Sequence, residues 1–267
     1  MYICNDSEHF KFDIKELKEK VKRKLVKAGI TNTVVLDILL NEVFSLYYNI
    51  PYHNIRHVYE VFMFTWNTFE RLDNICKSTP RKRDLLRYYD CKRLCLITAL
   101  CHDIGHEGRP NSFYSKRNSE DTNIVTHFED EYIHSPKSHN EKNHFKITSN
   151  LITKYFRYII KSKMSLNNVI LFVNNVILAT DISNHSKLIK IMKDLPNITS
   201  CDIVLQYIIS ISSLIIMSAD VSHATKDFGV HVYWVLQLIN EGNNELNSLN
   251  YLSIDTIQFI NNFTKPL

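Results

Sequence analysis

The sequence predicts an all-α protein folded as a compact multi-helix bundle. Apolar residues recur every three to four positions along most of the 267 residues, which is the period of an amphipathic helix. Only 5 Gly and 6 Pro are available to interrupt such helices. The chain is long enough to bury a sizeable core, and its 45% hydrophobic and 22% charged residues are ordinary for a globular protein.

Several segments carry this helical period, and they are residues 12–25, 34–48, 57–69, 94–100, 144–160, 169–180, 203–218 and 230–239. Thr31 and Asn32 can cap the second helix, and Pro51 marks the turn before the third. Polar clusters predict loops at residues 78–84, 111–122, 135–140, 195–200 and 241–250. No loop is long enough to link two domains, so we expect residues 1–267 to form one domain.

Charge and cysteine content argue against several classes of protein. The net charge of +4 comes from mixed-sign segments, including basic runs at residues 18–27 and 81–87, so we expect solvated helix faces and no nucleic-acid partner. Six cysteines without regular spacing, and no signal peptide, predict a reducing, cytoplasmic location. Cys91 and Cys95 could join a zinc site, but without a Cys-x-x-Cys pair small buried residues are the favoured interpretation.

Residues 203–219 form an uncharged stretch of 17 residues, nearly the length of a membrane span. Gln206, four serines and the following Asp220 make a buried core helix the better interpretation. We therefore expect no membrane segment within this chain. Flanking regions of a longer protein could still anchor or regulate it.

His53 and His57 lie four residues apart at the start of a predicted helix, where they share one face. Such a pair can offer two imidazoles to one metal, or one to a metal and one to a substrate proton. Taken alone the pair is a weak signal, because surface and capping histidines are common.

His102 and Asp103 end an apolar run, and an adjacent His and Asp at a helix end can both reach one cation. Asp220 ends a second apolar run, where a buried carboxylate needs a counter-charge such as a metal. The alternative for Asp220 is a cap of the next helix through Ser222 or Thr225. With His57, these residues make a ligand set of two nitrogens and two oxygens that leaves positions open for water.

Four motifs then follow one another in a characteristic order: Tyr52-His53-Asn54-x-x-His57, His102-Asp103-x-x-His106-x-Gly108-x-x-Asn111, Glu141-x-x-His144 and Ala219-Asp220-x-Ser222. Their order and spacing resemble those of the class I 3′,5′-cyclic nucleotide phosphodiesterase catalytic domain. The ending Phe259-Ile260-x-x-x-x-x-Pro266-Leu267 is also similar, so the resemblance extends from about residue 10 to the end.

The resemblance implies one HD-type catalytic domain that hydrolyses cAMP, cGMP or both to 5′-monophosphates. Helices within residues 10–50 would support a metal site built from residues 52–57, 102–106, 141–144 and 220, and residues 223–263 would form the base pocket. His57, His102, Asp103 and Asp220 would bind Zn²⁺, with Asp103 bridging to a second cation, Mg²⁺ or Mn²⁺. His106, Glu141 and Asn111 would support the metal-bound waters, and His53 would be the general acid.

The sequence departs from the family pattern at several positions. Gly105 stands where many members have a second Asp, and Asn143 stands where they have His. The family's purine-selecting Gln lies three residues before a stacking Phe; here Thr256 holds that place before Phe259, and Gln258 lies one residue before it. His223 stands where adenosine-preferring members often have Asn. The residues expected to bind substrate are Tyr52, His223, Thr256, Gln258 and Phe259, with the base preference left open.

Two other functions remain open. Another HD-type metal phosphohydrolase, for example one that acts on nucleoside triphosphates, would share the four ligands but would not require His53. A degenerate cyclic-nucleotide-binding module would keep the fold and metals without turnover, although the intact ligands and His53 argue against it.

Overall fold

The computed structural model of the protein describes residues 13–76, 82–117, 138–194 and 204–246. Within these ranges it contains α-helices and two short 3₁₀ helices, Ile182–Asn184 and Ser222–Thr225, and no β-strand. The prediction of an all-α bundle is confirmed. The α-helices are α1 (Ile14–Lys27), α2 (Thr33–Ser45), α3 (Ile55–Cys76), α4 (Lys82–Cys101), α5 (Asn111–Arg117), α6 (His139–Ile159), α7 (Leu166–Leu178), α8 (His185–Asp194), α9 (Val204–Asp220) and α10 (Phe228–Leu246).

One continuous apolar core lies between α3, α4, α6, α7 and α9. Phe62, Leu94, Ile152, Phe172 and Ile216, one from each helix, are buried in it. Removing each such side chain from water stabilises the fold by about 1.5–3 kcal/mol. The bundle therefore holds fixed the ends of α3, α4 and α9, which carry the candidate metal ligands.

The first two helices form an antiparallel pair on the outside of this core. Lys18 donates to Asn41, and Lys22 pairs with Asp37, so residue numbers rise along α1 as they fall along α2. The predicted cap of α2 is confirmed, because the side-chain oxygen of Asn32 accepts the Val35 N–H at 3.0 Å.

Four of the predicted loops are wrong in part, since residues 82–84 belong to α4 and residues 139 and 140 belong to α6. Residues 111–117 form α5, and α10 continues through residue 241 to Leu246. The sequence pattern also misses α8. In α5 and at the end of α10, some positions that face the protein interior carry polar side chains, so the apolar period of a helix is missing from the sequence. Glu241, for example, is only 6% exposed. The predicted loop at residues 195–200 lies outside the described residues.

The uncharged stretch in α9 behaves as a core helix. Ser212, Ser213 and Ile216 are buried within the bundle. In the part of the chain that the structure describes, no helix combines the length and apolarity needed to cross a bilayer.

Cys91, Cys95 and Cys101 are buried on α4 and form no disulfide bond. Burial raises the pKa of the Cys101 thiol to about 12, and it raises the pKa of the Cys95 thiol as well. Since only a thiolate binds metal well, these surroundings favour a packing role.

A buried ion pair in the middle of α4 joins the ends of α1 and α6. Asp90 and Arg93 form a short contact on α4, and the Arg93 guanidinium also donates to the carbonyl of Ala28 after α1 and of Ile159 at the end of α6. The Asp90 carboxylate accepts the backbone N–H of the two residues that follow Ile160, at 2.8 and 2.7 Å. Every charge in this group is therefore bonded.

Replacing Asp90 with Ala should lower the free energy of unfolding by about 3–5 kcal/mol, because Arg93 would remain as an uncompensated buried charge. Urea denaturation followed by circular dichroism measures this. The matched control is Glu16→Ala, which breaks an exposed pair with Lys20 and should leave the midpoint almost unchanged. Equal losses in the two variants would contradict the assignment.

Candidate active site

Two imidazoles and two carboxylates meet where three core helices converge. His57 lies in the first turn of α3, His102 and Asp103 directly follow α4, and Asp220 is the last residue of α9. One nitrogen or oxygen atom from each of the four lies within 4.8 Å of all the others. Nε2 of His57 is 3.0 Å from Oδ1 of Asp220, and Nε2 of His102 is 3.0 Å from Oδ2 of Asp103.

The bonding of this group fits a cation at its centre. Nδ1 of His102 lies 2.9 Å from the carbonyl of Ala99, so Nδ1 carries a proton and Nε2 is the nitrogen that faces the carboxylates. His102 Nε2 and Asp103 Oδ2 are buried, and neither has a hydrogen bond with good geometry. Orphaned buried polar atoms are costly, and a donor set of two imidazole nitrogens and two carboxylate oxygens is one that zinc accepts.

The two carboxylates of this group are ionised. Burial alone would raise the pKa of the Asp103 carboxyl, but His102 and His53 outweigh burial and hold that pKa well below its usual range. The imidazoles of His102 and His57 likewise lower the pKa of Asp220. Both carboxylates are therefore ionised at neutral pH and available as ligands.

His53, one turn before the candidate ligand His57, is held by a carboxylate from α10. Nδ1 of His53 donates to Oε1 of Glu241 at 2.5 Å, and Oε2 of Glu241 accepts the backbone N–H of Tyr52 and of His53 at 2.8 and 3.0 Å. Burial lowers the pKa of His53, but Glu241 and Asp103 more than offset it and raise the pKa to about 9. His53 is thus protonated at neutral pH.

Glu241 is a residue that the sequence prediction misses, because its polar neighbours place it in a loop. A usable signal exists: Glu241 follows Trp234 by seven residues, which is two helical turns, so both side chains share one face if the helix continues. Trp234 is 1% exposed, and its ring meets the rings of Tyr52 and His57 edge-on, with centroids 5.5 and 5.7 Å apart.

His106 stacks on His53, with ring centroids 3.8 Å apart and an angle of 18°. Nδ1 of His106 accepts the Gly108 N–H at 2.9 Å, which places the ring proton on Nε2. Gly108 has φ of 72°, a conformation that favours glycine in this turn. Burial and the neighbouring charge of His53 lower the pKa of His106 well below its usual value, so a neutral ring supports a cationic one.

His53, His106 and Glu241 also bring potential ligand atoms within 4.8 Å of one another. Their bonding differs from that of the four-residue group. The proton on Nε2 of His106 and the short His53–Glu241 bond already use the atoms that a metal would need. A hydrogen-bonded proton-donor cluster therefore describes them better than a second metal centre.

A further polar group borders Asp103 on the side of α6. Asn111 donates to Glu141 at 2.9 Å, and burial together with Asp181 raises the pKa of Glu141 to about 7. Nδ1 of His144 donates to the carbonyl of Ile104 at 2.7 Å, while its Nε2 stands 4.0 Å from Oδ1 of Asp103. That gap is too long for a direct hydrogen bond and suits a bridging water.

Asp181 is a second residue that the sequence prediction misses. It directly precedes a 3₁₀ helix and is buried, with its carboxylate accepting the hydroxyl of Ser138. Asp103, Glu141 and Asp181 thus place three carboxyl groups on this side of the site.

The structure describes one side of the expected base pocket, the side formed by Tyr52 and His223. Tyr52 is buried against His53 and His57, with ring centroids 4.8 and 4.7 Å apart. His223 is buried in the 3₁₀ turn after Asp220, and its Nδ1 lies 3.0 Å from Nδ1 of His231 on α10. Asp220 does not cap this turn. Thr256, Gln258 and Phe259 lie outside the described residues.

Several known proteins are similar to this chain in sequence. A family model described as 3′5′-cyclic nucleotide phosphodiesterase matches residues 52–266. The cGMP-specific 3′,5′-cyclic phosphodiesterase gamma of Plasmodium yoelii is 31% identical over 209 residues, which cover 78% of this chain and 24% of that protein. The dual 3′,5′-cyclic-AMP and -GMP phosphodiesterase beta of Plasmodium falciparum (isolate 3D7) is 26% identical over 223 residues, covering 79% and 18%. The chain thus spans about a quarter or less of these relatives' length.

The fold is also similar to solved structures. The phosphodiesterase domain of the RhoPDE fusion protein from the choanoflagellate Salpingoeca rosetta superposes with a TM-score of 0.66 at 17% identity, over 96% of this chain and 75% of that one. At this identity the likeness concerns the fold alone.

Replacing Asp220 with Ala should abolish tight zinc binding, because one of the four candidate ligands is lost and Asp103 remains as the one carboxylate of the group beside His57 and His102. Metal content after dialysis, measured by mass spectrometry, tests this. The matched control is Asp227→Ala, an exposed carboxylate seven residues later, which should retain its zinc. Full zinc content in Asp220→Ala would overturn the ligand assignment.

Proposed function

The chain belongs to the 3′5′-cyclic nucleotide phosphodiesterase family, and on that premise we propose that it hydrolyses cAMP, cGMP or both to 5′-nucleoside monophosphates with two divalent cations. The observation that carries this proposal is the placement of a protonated His53 beside the group formed by His57, His102, Asp103 and Asp220. Attack at phosphorus needs a nucleophile and charge stabilisation, and loss of an alkoxide needs a proton donor.

The four-residue group would hold Zn²⁺ through two imidazole nitrogens and two carboxylate oxygens. The second oxygen of Asp103, which faces His144, would share a second cation, Mg²⁺ or Mn²⁺, on the side of Glu141 and Asp181. When bound, two such cations would lower the pKa of a shared water and draw charge from the phosphate oxygens.

His53 would protonate the departing O3′. Because its Nδ1–H is committed to Glu241, its Nε2–H remains for the substrate. Stacking on His106 fixes the plane of the ring, so the donor points in one direction. His106, Glu141 and Asn111 would in turn orient water around the cations, in keeping with the way outer residues position metal-site groups.

The base would lie on the side of Tyr52 and His223, with Thr256, Gln258 and Phe259 completing the pocket. Stacking of Phe259 on the base would contribute about 1–3 kcal/mol. A cGMP-specific relative and a dual-specificity relative both match the chain, so either base is compatible with the family. The buried cysteines on α4, which form no disulfide bond, support a reducing, cytoplasmic setting for this domain.

Assaying the release of 5′-AMP and 5′-GMP from the cyclic nucleotides, with Mg²⁺ or Mn²⁺ added, tests the proposed function directly. Release of either product supports it. Binding of a cyclic nucleotide without turnover would indicate a degenerate binding module. Hydrolysis of nucleoside triphosphates instead would indicate another HD-type phosphohydrolase.

Replacing His53 with Ala should lower kcat for the cyclic nucleotide by about 10²-fold or more, the scale of lost general-acid catalysis. Metal content should stay normal, because His53 is outside the four-residue ligand group. Parallel measurement of kcat and zinc content separates the two effects. A near-normal kcat would remove His53 as the acid.

Replacing Glu241 with Gln should move the alkaline limb of the kcat profile to lower pH. Glu241 and Asp103 raise the pKa of His53 to about 9, so the donor keeps its proton below that pH and loses it above. Without the Glu241 charge the pKa falls, and the protonated fraction declines earlier as pH rises. The control is Glu107→Gln, an exposed carboxylate bonded to Tyr114. Identical profiles in all three proteins would contradict the role of Glu241.

A further inference from the structure

The position of Glu241, and hence of the proton on His53, depends on how α10 is attached to the bundle. Much of the outer surface of α10 faces solvent among the described residues: Phe228 is 81% exposed and Leu236 is 51% exposed. Its inner face carries Trp234 and Glu241, both buried. Polar contacts between defined atoms add to apolar packing in fixing the register of such a helix.

Glu60 of α3 supplies such contacts at two points. Its Oε2 accepts the indole N–H of Trp234 at 3.0 Å, in the second turn of α10. The same oxygen forms a short ion pair with Lys226, two residues before α10 begins. Glu60 thereby holds both the entry to α10 and the residue two turns before Glu241.

The surroundings of Glu60 stiffen this attachment. Arg56, one turn earlier on α3, has its Nε 3.9 Å from Oε1 of Glu60. The Arg56 guanidinium also lies over the ring of Tyr233, 4.4 Å from its centroid, a favourable cation–π arrangement. Glu60 lies one turn from His57, a proposed metal ligand. Its contacts with Trp234 and Lys226 therefore also fix the position of α10 relative to the proposed metal centre.

We propose that Glu60 is a positioning residue for proton donation, which holds α10 through Trp234 and Lys226 so that Glu241 meets Nδ1 of His53. This inference rests on the proposed function and adds a residue outside the ligand and proton-donor groups. Glu60 touches no reacting atom. Its effect on turnover must therefore pass through Glu241.

The test is a comparison of Glu60→Ala in two backgrounds, the full chain as it stands and the chain carrying Glu241→Ala. In the first, kcat for the cyclic nucleotide should fall about tenfold or more, because a displacement of about 1 Å at a catalytic group can cost up to about 10²-fold. In the second, the same substitution should change kcat by less than about twofold, since coupled residues are not additive. Glu60→Gln, which keeps an acceptor for the Trp234 N–H, should recover part of the loss.

The matched control is Glu70→Ala on the same helix, which breaks the ion pairs with Lys27 and Lys92 far from α10. Glu70→Ala should change kcat only slightly, and by the same factor in both backgrounds. Zinc content and the unfolding midpoint of each variant show whether the metal centre and the fold are intact. Partial recovery in Glu60→Gln keeps the test decisive if Glu60→Ala fails to fold.

Losses of equal size in the two backgrounds would overturn the positioning role, as would a full loss in Glu60→Gln with normal zinc content. A wild-type chain that does not hydrolyse either cyclic nucleotide would instead overturn the proposed function, and this inference with it. The two failures are therefore distinguishable by the wild-type assay.

Discussion

The arrangement of this bundle follows from the placement of two carboxylates and two imidazoles in one buried space. Ionised groups lose hydration when they are buried, so such a group is tolerated only where its members compensate one another or share a cation. The four side chains are carried at helix ends. The start of α3 and the ends of α4 and α9 meet at one place, so each side chain reaches the others without crossing the apolar core. The apolar interior behind them keeps these ends in place.

Around this centre, neighbouring histidines are held in different protonation states. Glu241 and Asp103 keep His53 charged, whereas burial and the charge of His53 keep His106 neutral, although the two rings are stacked. Environments that drive the pKa values of adjacent groups apart divide acid and supporting roles between chemically identical side chains. Here the difference in protonation between His53 and His106 depends on the carboxylate of Glu241, which lies on α10 near the end of the described residues.

The base side of the site is connected to the same framework. Tyr52 packs against both His53 and His57, Trp234 touches Tyr52 and His57, and His223 follows Asp220 by three residues. A change in the proposed pocket wall would therefore reach the candidate metal ligands through these ring contacts. Under the proposed function, recognition of the nucleotide and orientation of the proton donor would share the same side chains.

The sequence by itself determined the helical class, most helix positions and the set of motifs that include His53, His57, His102, Asp103 and Asp220, because helical periodicity and short motifs are local properties. It did not reveal Glu241 or Asp181, and it assigned α8 and the end of α10 to no helix. Those features are held by partners far away in the chain: Glu241 by Tyr52 and His53, Asp181 by Ser138. Only the tertiary structure decided them. From sequence alone a polar residue is predicted to face solvent, and the buried hydrogen-bond donor that stabilises it is known only once the fold is known.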